Sequence, residues 1–265
     1  MVIHLRLEKA ADHRAVEELT REAFWINTDC RPYIDEHYLV HKLRDSSAFI
    51  PELDYVAEVN RRLVGNIMYS RSKIVSPEGV EHEVLSFGPL SVLPEFQGRG
   101  IGKALMRESF ERARGLGFGA IVIFGHPDYH PRLGFRRASD FGITAADGTT
   151  FPAIMALELV PGSLDGITGR LYFDAVYEDL PEDEVMAFDA RFPSKKPRSK
   201  VPIDLLLERL KGEAKESVKG LKLTYLGDFH RIAVEQVANL RGIDAEALAT
   251  IRSTLQEHGR LWGNA

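Results

Sequence analysis

Gln97-Gly98-Arg99-Gly100-Ile101-Gly102 places three glycines in six residues between an apolar strand and an amphipathic helix. The run before it, Val84-Leu85-Ser86-Phe87-Gly88-Pro89-Leu90-Ser91-Val92-Leu93, alternates as a strand that stops at Pro94. After it, Ile101, Leu105, Met106, Phe110, Ala113 and Leu116 recur at a 3.6-residue period, and Gly115 and Gly117 offer places to stop. Strand, glycine turn and helix together make an anion site. The glycines let consecutive backbone N–H groups point outward at the positive end of the helix dipole.

The common phosphate loops do not fit. A Walker loop needs G-x-x-x-x-G-K-[ST], but Gln97 stands at its first glycine and Ala104 at its magnesium-binding hydroxyl. The dinucleotide pattern G-x-G-x-x-G fails because Lys103 and Leu105 occupy the two third-glycine positions that the loop offers. What remains is Q-x-x-G-x-G, suited to a pyrophosphate held by amides without metal.

On these residues the chain resembles the GNAT acyltransferases, whose coenzyme A loop is Q/R-x-x-G-x-G/A at the start of the helix after the fourth strand. Gly88-Pro89-Leu90-Ser91-Val92, then Gly125-His126-Pro127-Asp128-Tyr129 and Leu133-Gly134-Phe135, resemble the YhbS-type branch of that family. The resemblance covers roughly residues 3–192. It implies an α/β fold with a mixed sheet, acetyl-CoA or coenzyme A as cosubstrate, no metal, and an amine acceptor. It implies that Gln97, Gly98, Arg99, Gly100, Ile101, Gly102 and Lys103 hold the pyrophosphate. The amides of Leu90 and Val92 would serve the acyl carbonyl and the pantetheine arm, where a fixed donor stabilises developing negative charge. Many members place a tyrosine five residues before the Phe135 position to protonate the leaving thiolate; here that position holds His130, with Tyr129 just before it. Either is a candidate acid, and an imidazolium titrates in a useful range. Glu58, His82, Glu83, Ser86 and His126 are candidate bases of equal standing.

The 265 residues suggest about two domains. With 44% hydrophobic and 28% charged residues, the composition is that of a globular protein with a sizeable core. No apolar run is long enough for a membrane helix, and no signal-peptide core opens the chain, so a cytoplasmic location is expected. The single cysteine, Cys30, rules out an internal disulfide and any cysteine-rich metal site. Charge is uneven. Residues 195–265 carry 13 Lys and Arg against 9 Asp and Glu, a net +4, which leaves −9 for residues 1–194. Between the two parts, residues 193–202 read as a basic, proline-rich linker.

Strands are expected at residues 3–7, 54–58, 63–74, 120–124, 153–159 and 169–177, with helices at 10–24 and 33–43. In the second helix His37 and His41 share a face at i, i+4, a spacing that serves a solvated or substrate-lining face better than a metal lacking a third ligand. After the linker, 202–216 reads as a helix with Leu205, Leu206 and Leu210 inward. A helix to about 240, the hairpin Arg241-Gly242-Ile243 and a helix capped by Asp244 follow. Residues 203–265 thus form a small all-α helix-hairpin-helix domain. It resembles the C-terminal domain of the bacterial RNA polymerase alpha subunit in Leu226-Gly227-Asp228, Leu240-x-Gly242, Ile251-x-x-x-Leu255 and Gly259. The DNA-contacting cations of that domain fall on Glu213 and Asp244 here, so a protein contact is preferred to nucleic acid. Two functions follow: N-acetyl transfer from acetyl-CoA to an amine, or a coenzyme A-binding regulator without turnover that contacts the transcription machinery. Both leave a homodimer open.

Overall fold

The computed structural model describes residues 1–25, 34–126, 129–195, 201–232 and 234–258. It divides into two units, Met1–Ala23 with Asp35–Pro193, and Phe24–Ile34 with Ser194–Ala265. Cys30, Pro127, Asp128, Gly259 and linker residues 196–200 lie outside the described residues.

In the first unit β1 (His4–Leu7) pairs antiparallel with β2 (Tyr55–Val59). Asn60 and Arg61 both take left-handed backbone, the two-residue turn that matches strand twist, and β2 folds straight back on β3 (Arg62–Val75). A turn at 77–79 leads to β4 (Glu81–Val92), antiparallel to β3 along nearly its whole length. β5 (Ala120–Phe124) lies parallel to β4, followed in the sheet by β8 (Ile154–Glu158) and β6 (Arg136–Arg137). β7 (Ile143–Thr144) and β9 (Gly169–Tyr172) extend from the far end of β3. The strand expected at 169–177 therefore stops at Tyr172; Asp174 accepts from the Val176 amide and turns the chain into a 3₁₀ segment, Ala175–Tyr177.

Alternation sorts the sheet's side chains onto two faces. Ile67, Tyr69, Leu85, Ile121 and Ile123 pack with Ile101, Leu105, Met106 and Phe110 of α3 (Ile101–Gly115). On the other face Ile74, Val84, Ala120 and Val122 form a second core. Val56 and Met68 meet α1 (His13–Trp25) and α2 (Glu36–Leu43) there. Among the described residues no helix is long and apolar enough to cross a membrane.

His37 is not on a solvated face: it is fully buried. Its ring packs on Phe188 and Phe192, and its Nε2 lies 3.1 Å from Asp189 Oδ1. Burial pushes its pKa down to about 4, against the pull of Asp189. His41 points elsewhere, to Glu17 at 3.0 Å, so the pair does not converge on a metal position. The residues that bury His37 belong to or follow α4 (Glu182–Asp189), which the sequence reading passed over. Pro181 and the acidic first turn Glu182-Asp183-Glu184 are its start signal, with Val185 and Phe188 as the buried stripe. Asp189 clamps Arg21 of α1 with two bonds of 2.6 and 2.9 Å.

The second unit has its own core, with Leu206, Leu210, Val218, Leu226, Phe229, Ile251 and Leu255 all buried. The helix expected at 202–216 is two helices, α5 (Asp204–Arg209) and α6 (Gly212–Gly220). Leu210 leaves helical backbone to bury its side chain, and Gly212 takes φ +54°. Leu205 consequently faces outward and Leu207 inward. A 3₁₀ segment, Leu226–Arg231, precedes α7 (Val234–Ala238); α8 (Ala245–Glu257) starts at Asp244, whose carboxylate accepts from Ala247 N at 2.8 Å.

In the first unit, two buried carboxyl oxygens, Glu8 Oε2 and Asp54 Oδ1, have no donor of their own. Burial, then the neighbouring Glu8, pushes the Asp54 carboxyl up to about 9, so Asp54 keeps its proton at neutral pH beside Glu8 and Arg44. Above its unfolded pKa, Asp54 must bind a proton to fold, so this group costs stability increasingly from about pH 4 to pH 9. Asp54→Asn removes that proton uptake. Urea melts should show the variant gaining on wild type by up to about 1.4 kcal/mol per pH unit between pH 5 and 8; parallel pH profiles would contradict a buried, protonated Asp54.

Candidate active site

β4 and β5 meet at one ladder position, Leu85 with Ile121. One residue further on, the buried Ser86 donates its hydroxyl to the Val122 carbonyl at 2.6 Å, satisfying a group that a continuing ladder would have paired. Beyond this wedge the strands separate. β4 also carries a bulge: Tyr69 faces Phe87 and Ile67 faces Leu90, so Gly88 and Pro89 oppose Met68 alone. The Leu93 amide donates to Val64 of β3, and strand alternation then turns the N–H groups of Leu90 and Val92 away from β3. The Val92 carbonyl confirms that direction by accepting from Gln97 Nε2 at 3.0 Å. Two amides therefore face the gap left by β5.

The glycine loop closes the same corner. Gly100 caps α3 at φ +84°, and a side chain there would meet nothing within 4 Å. The amides of Ile101, Gly102 and Lys103 precede the first intrahelical bond, Ala104 N to Gly100 O, and point out of the helix start. Gly98, Arg99 and Lys103 are exposed beside them. A Cβ at Gly102 would lie 3.2 Å from Tyr129 Oη and 3.8 Å from the side chains of Leu90 and Val92. Gly102, Tyr129, Leu90 and Val92 thus converge on one point, where the loop, the bulged strand and the segment after β5 come together. Burial raises the Tyr129 phenol above its ordinary pKa, so it stays protonated at neutral pH.

Known proteins are similar to this chain in sequence and fold. Residues 15–139 match the acetyltransferase (GNAT) family. That stretch, just under half of the chain, is similar to the GNAT acetyltransferases. YjhQ of Escherichia coli K12, an uncharacterized N-acetyltransferase, is 32% identical over 123 residues, 45% of this chain and 66% of YjhQ. The crystal structure of the GNAT protein YhbS from Escherichia coli with CoA matches at TM-score 0.58 and 22% identity, over 68% of this chain and 93% of YhbS, a likeness of fold. A GNAT acetyltransferase from Brucella melitensis in complex with acetyl-CoA matches at TM-score 0.52 and 28% identity, over 66% of this chain and 98% of that one.

Within this site His130 sits differently from the expectation of a titrating imidazolium. It is 8% exposed, packed between Phe87, Phe135 and Tyr129. Its Nδ1 accepts the His126 amide at 2.8 Å, and burial pushes its pKa down to about 4, opposed by the His126 carbonyl. A neutral ring is a poor proton donor, whereas the Tyr129 phenol keeps its proton and faces Gly102. Gly125 makes the arrangement fit: a Cβ there would meet His130 Nδ1 at 2.8 Å.

The candidate bases disperse. Glu58 is held by Arg6 in bonds of 2.8 and 2.6 Å on the β1 side of the sheet. His82 and Glu83 lie at the other end of β4, eight residues or roughly 26 Å of strand from Leu90 for His82. Ser86 is the wedge, its proton engaged. His126 alone stays next to the gap, one residue beyond Gly125. Sequence reasoning named Ser86 for the wrong task and missed the Gln97 clasp. A hydroxyl between Leu85 and Phe87 in a buried stretch of strand was the available signal for the wedge. Among the described residues no three His, Cys, Asp or Glu are grouped to hold a metal ion.

The His130 geometry has a direct readout. Its folded pKa lies below the unfolded value of about 6.5, so it contributes nothing against acid and costs stability as pH falls from 6.5 toward 4. In a ¹⁵N-histidine NMR titration its ring should remain neutral with Nδ1 unprotonated down to about pH 4. Titration near pH 6.5 would restore the imidazolium.

Proposed function

We propose that the chain transfers an acetyl group from acetyl-CoA to an amine by direct attack in a ternary complex. The observation that carries this reading is the convergence of the Tyr129 hydroxyl, Gly102 and the gap-facing amides of Leu90 and Val92. Bound there, acetyl-CoA supplies an activated thioester. The chain's residues do the rest. Open space over Gly98 and Gly100, with outward amides at 101–103 and the cations Arg99 and Lys103, suits a pyrophosphate at the start of α3. Val92 offers its amide to the pantetheine arm. Leu90 offers its amide to the thioester oxygen, where it strengthens as negative charge gathers. Tyr129 gives its proton to the departing sulfur. That proton is why transfer is preferred to a regulator without turnover.

The second unit we read as a helix-hairpin-helix domain that contacts protein. Gly242, at φ +76°, comes so close to α6 that a Cβ would lie 2.5 Å from Glu213 Cβ. Arg241 pairs with Glu213 at 2.9 Å, and the Asp244 carboxylate is spent on its own helix cap. Neither position offers phosphate a cation.

Three outcomes test these readings. CoA at a hundred times its dissociation constant should stabilise the protein by about 2.7 kcal/mol in EDTA. Gly100→Glu should abolish the shift, and no shift in wild type would refute the CoA site. Tyr129→Phe should lower kcat by roughly 10²-fold with CoA binding kept. His130→Phe, which preserves a buried ring, should stay within about tenfold of wild type; an unimpaired Tyr129→Phe would remove the phenol from the mechanism. A fragment of residues 202–265 should melt cooperatively and shift little duplex DNA at physiological salt. Salt-sensitive binding at micromolar concentration would favour nucleic acid instead.

A further inference from the structure

Four rings lie outside the machinery described so far. Phe124, the last residue of β5, is 55% exposed, and Phe151 is 40% exposed. Their centroids are 5.3 Å apart. Phe124 also meets Phe173 edge-on at 4.8 Å, and Phe173 meets Tyr177 at 5.7 Å. The row ends at the bulge of β4: Tyr177 Oη lies 3.1 Å from Ser70 Oγ and donates to the Gly88 carbonyl at 3.4 Å. Phe124 and Phe151 form the exposed end of the row, and Phe173 and Tyr177, half-buried, carry it inward to the bulge; exposed apolar surface of this kind is a candidate binding site.

Its side of the sheet gives it a role. Ile121 and Ile123 share the core with α3, whereas Ala120 and Val122 face the other way, and Phe124 continues that second set. Phe87, Leu90, Val92 and Tyr129 are on the α3 side. A thioester delivered from the start of α3, with its sulfur toward Tyr129, leaves the opposite side of the gap as the approach for a nucleophile. That mouth is the row of rings.

We propose, resting on the acetyl-transfer reading, that Phe124, Phe151, Phe173 and Tyr177 form the acceptor site and that the acceptor is an arylalkylamine. Rings set edge-to-face present faces and edges to a further ring, and an ammonium entering among them is held by their π-electrons. A polyamine or a lysine-rich peptide needs free carboxylates instead. The carboxylate within the row's own segment, Asp174, is already engaged by Ser46 Oγ at 3.0 Å and the Val176 amide at 3.1 Å. In the reaction the ammonium first loses one proton to water. Its nitrogen then forms the C–N bond to the acetyl carbon as the C–S bond breaks, and the sulfur takes the Tyr129 proton. The second nitrogen proton leaves through water and restores the phenol, so one amide, one thiol and one net proton result.

The test compares 2-phenylethylamine with 1,4-diaminobutane as acceptors, following thiol release from acetyl-CoA. Wild type should favour the ring-bearing amine in kcat/KM by more than about tenfold. Phe124→Ala and Phe151→Ala, both at exposed positions and therefore expected to fold, should each raise its KM by about tenfold, with the CoA-induced thermal shift unchanged. Phe124→Tyr should restore the wild-type value. Equal or better use of the diamine, indifference of 2-phenylethylamine to both alanine variants, or no turnover of either amine by a protein that still binds CoA would each overturn the acceptor assignment. Loss of the CoA shift in wild type would instead overturn the transferase reading beneath it.

Discussion

Past Leu85 and Ile121 two neighbouring parallel strands stop pairing, and the site depends on that separation. A sheet that continued would consume the amides of Leu90 and Val92 in ladder bonds and leave a substrate nothing to hold. Opening a sheet leaves polar backbone groups without partners, and burying them so is unfavourable by roughly 1–3 kcal/mol each. The chain meets this with local devices. Ser86 covers the Val122 carbonyl, Gln97 covers the Val92 carbonyl, and the two-residue bulge at Gly88 and Pro89 turns β4 away while Tyr177 holds the Gly88 carbonyl. The N–H groups left over are the ones we propose a thioester and its pantetheine arm use.

Around the gap the two faces of the sheet carry different chemistry. The α3 face brings a helix start, a phenol and two cations; the other brings aromatic rings and, farther along, the α1, α2 and α4 packing. His37 and His130 are buried on opposite sides of this sheet and both are neutral at physiological pH. They cost stability as pH falls toward about 4, whereas Asp54 costs stability as pH rises from about 4 to 9.

Much of this was legible in the sequence because it is local. The loop at 97–102, the strand before it and the helix after it follow from glycine spacing and a 3.6-residue period. What was not legible depends on contacts distant in sequence. His37 looked solvent-facing because its burial comes from Phe188, Asp189 and Phe192, some 150 residues away. His130 looked titratable because a motif position says nothing of the Phe87 and Phe135 rings that dry it. The long helix expected at 202–216 failed for a subtler reason: Leu205, Leu206, Leu207 and Leu210 cannot all face inward on one helix, and the break before Gly212 chose among them. The row from Phe124 to Tyr177 is invisible to pattern reading, since its members come from three separate segments.

The central claim is that the opened edge of β4 and the start of α3 bind one ligand together. Backbone amide NMR of the ¹⁵N-labelled protein during a CoA titration in EDTA tests it most directly. The account predicts saturable shifts in the amides of Leu90, Val92, Ile101, Gly102 and Lys103 with a single dissociation constant. Saturation that moves the α3 amides but leaves Leu90 and Val92 untouched, or moves none of them, would contradict it.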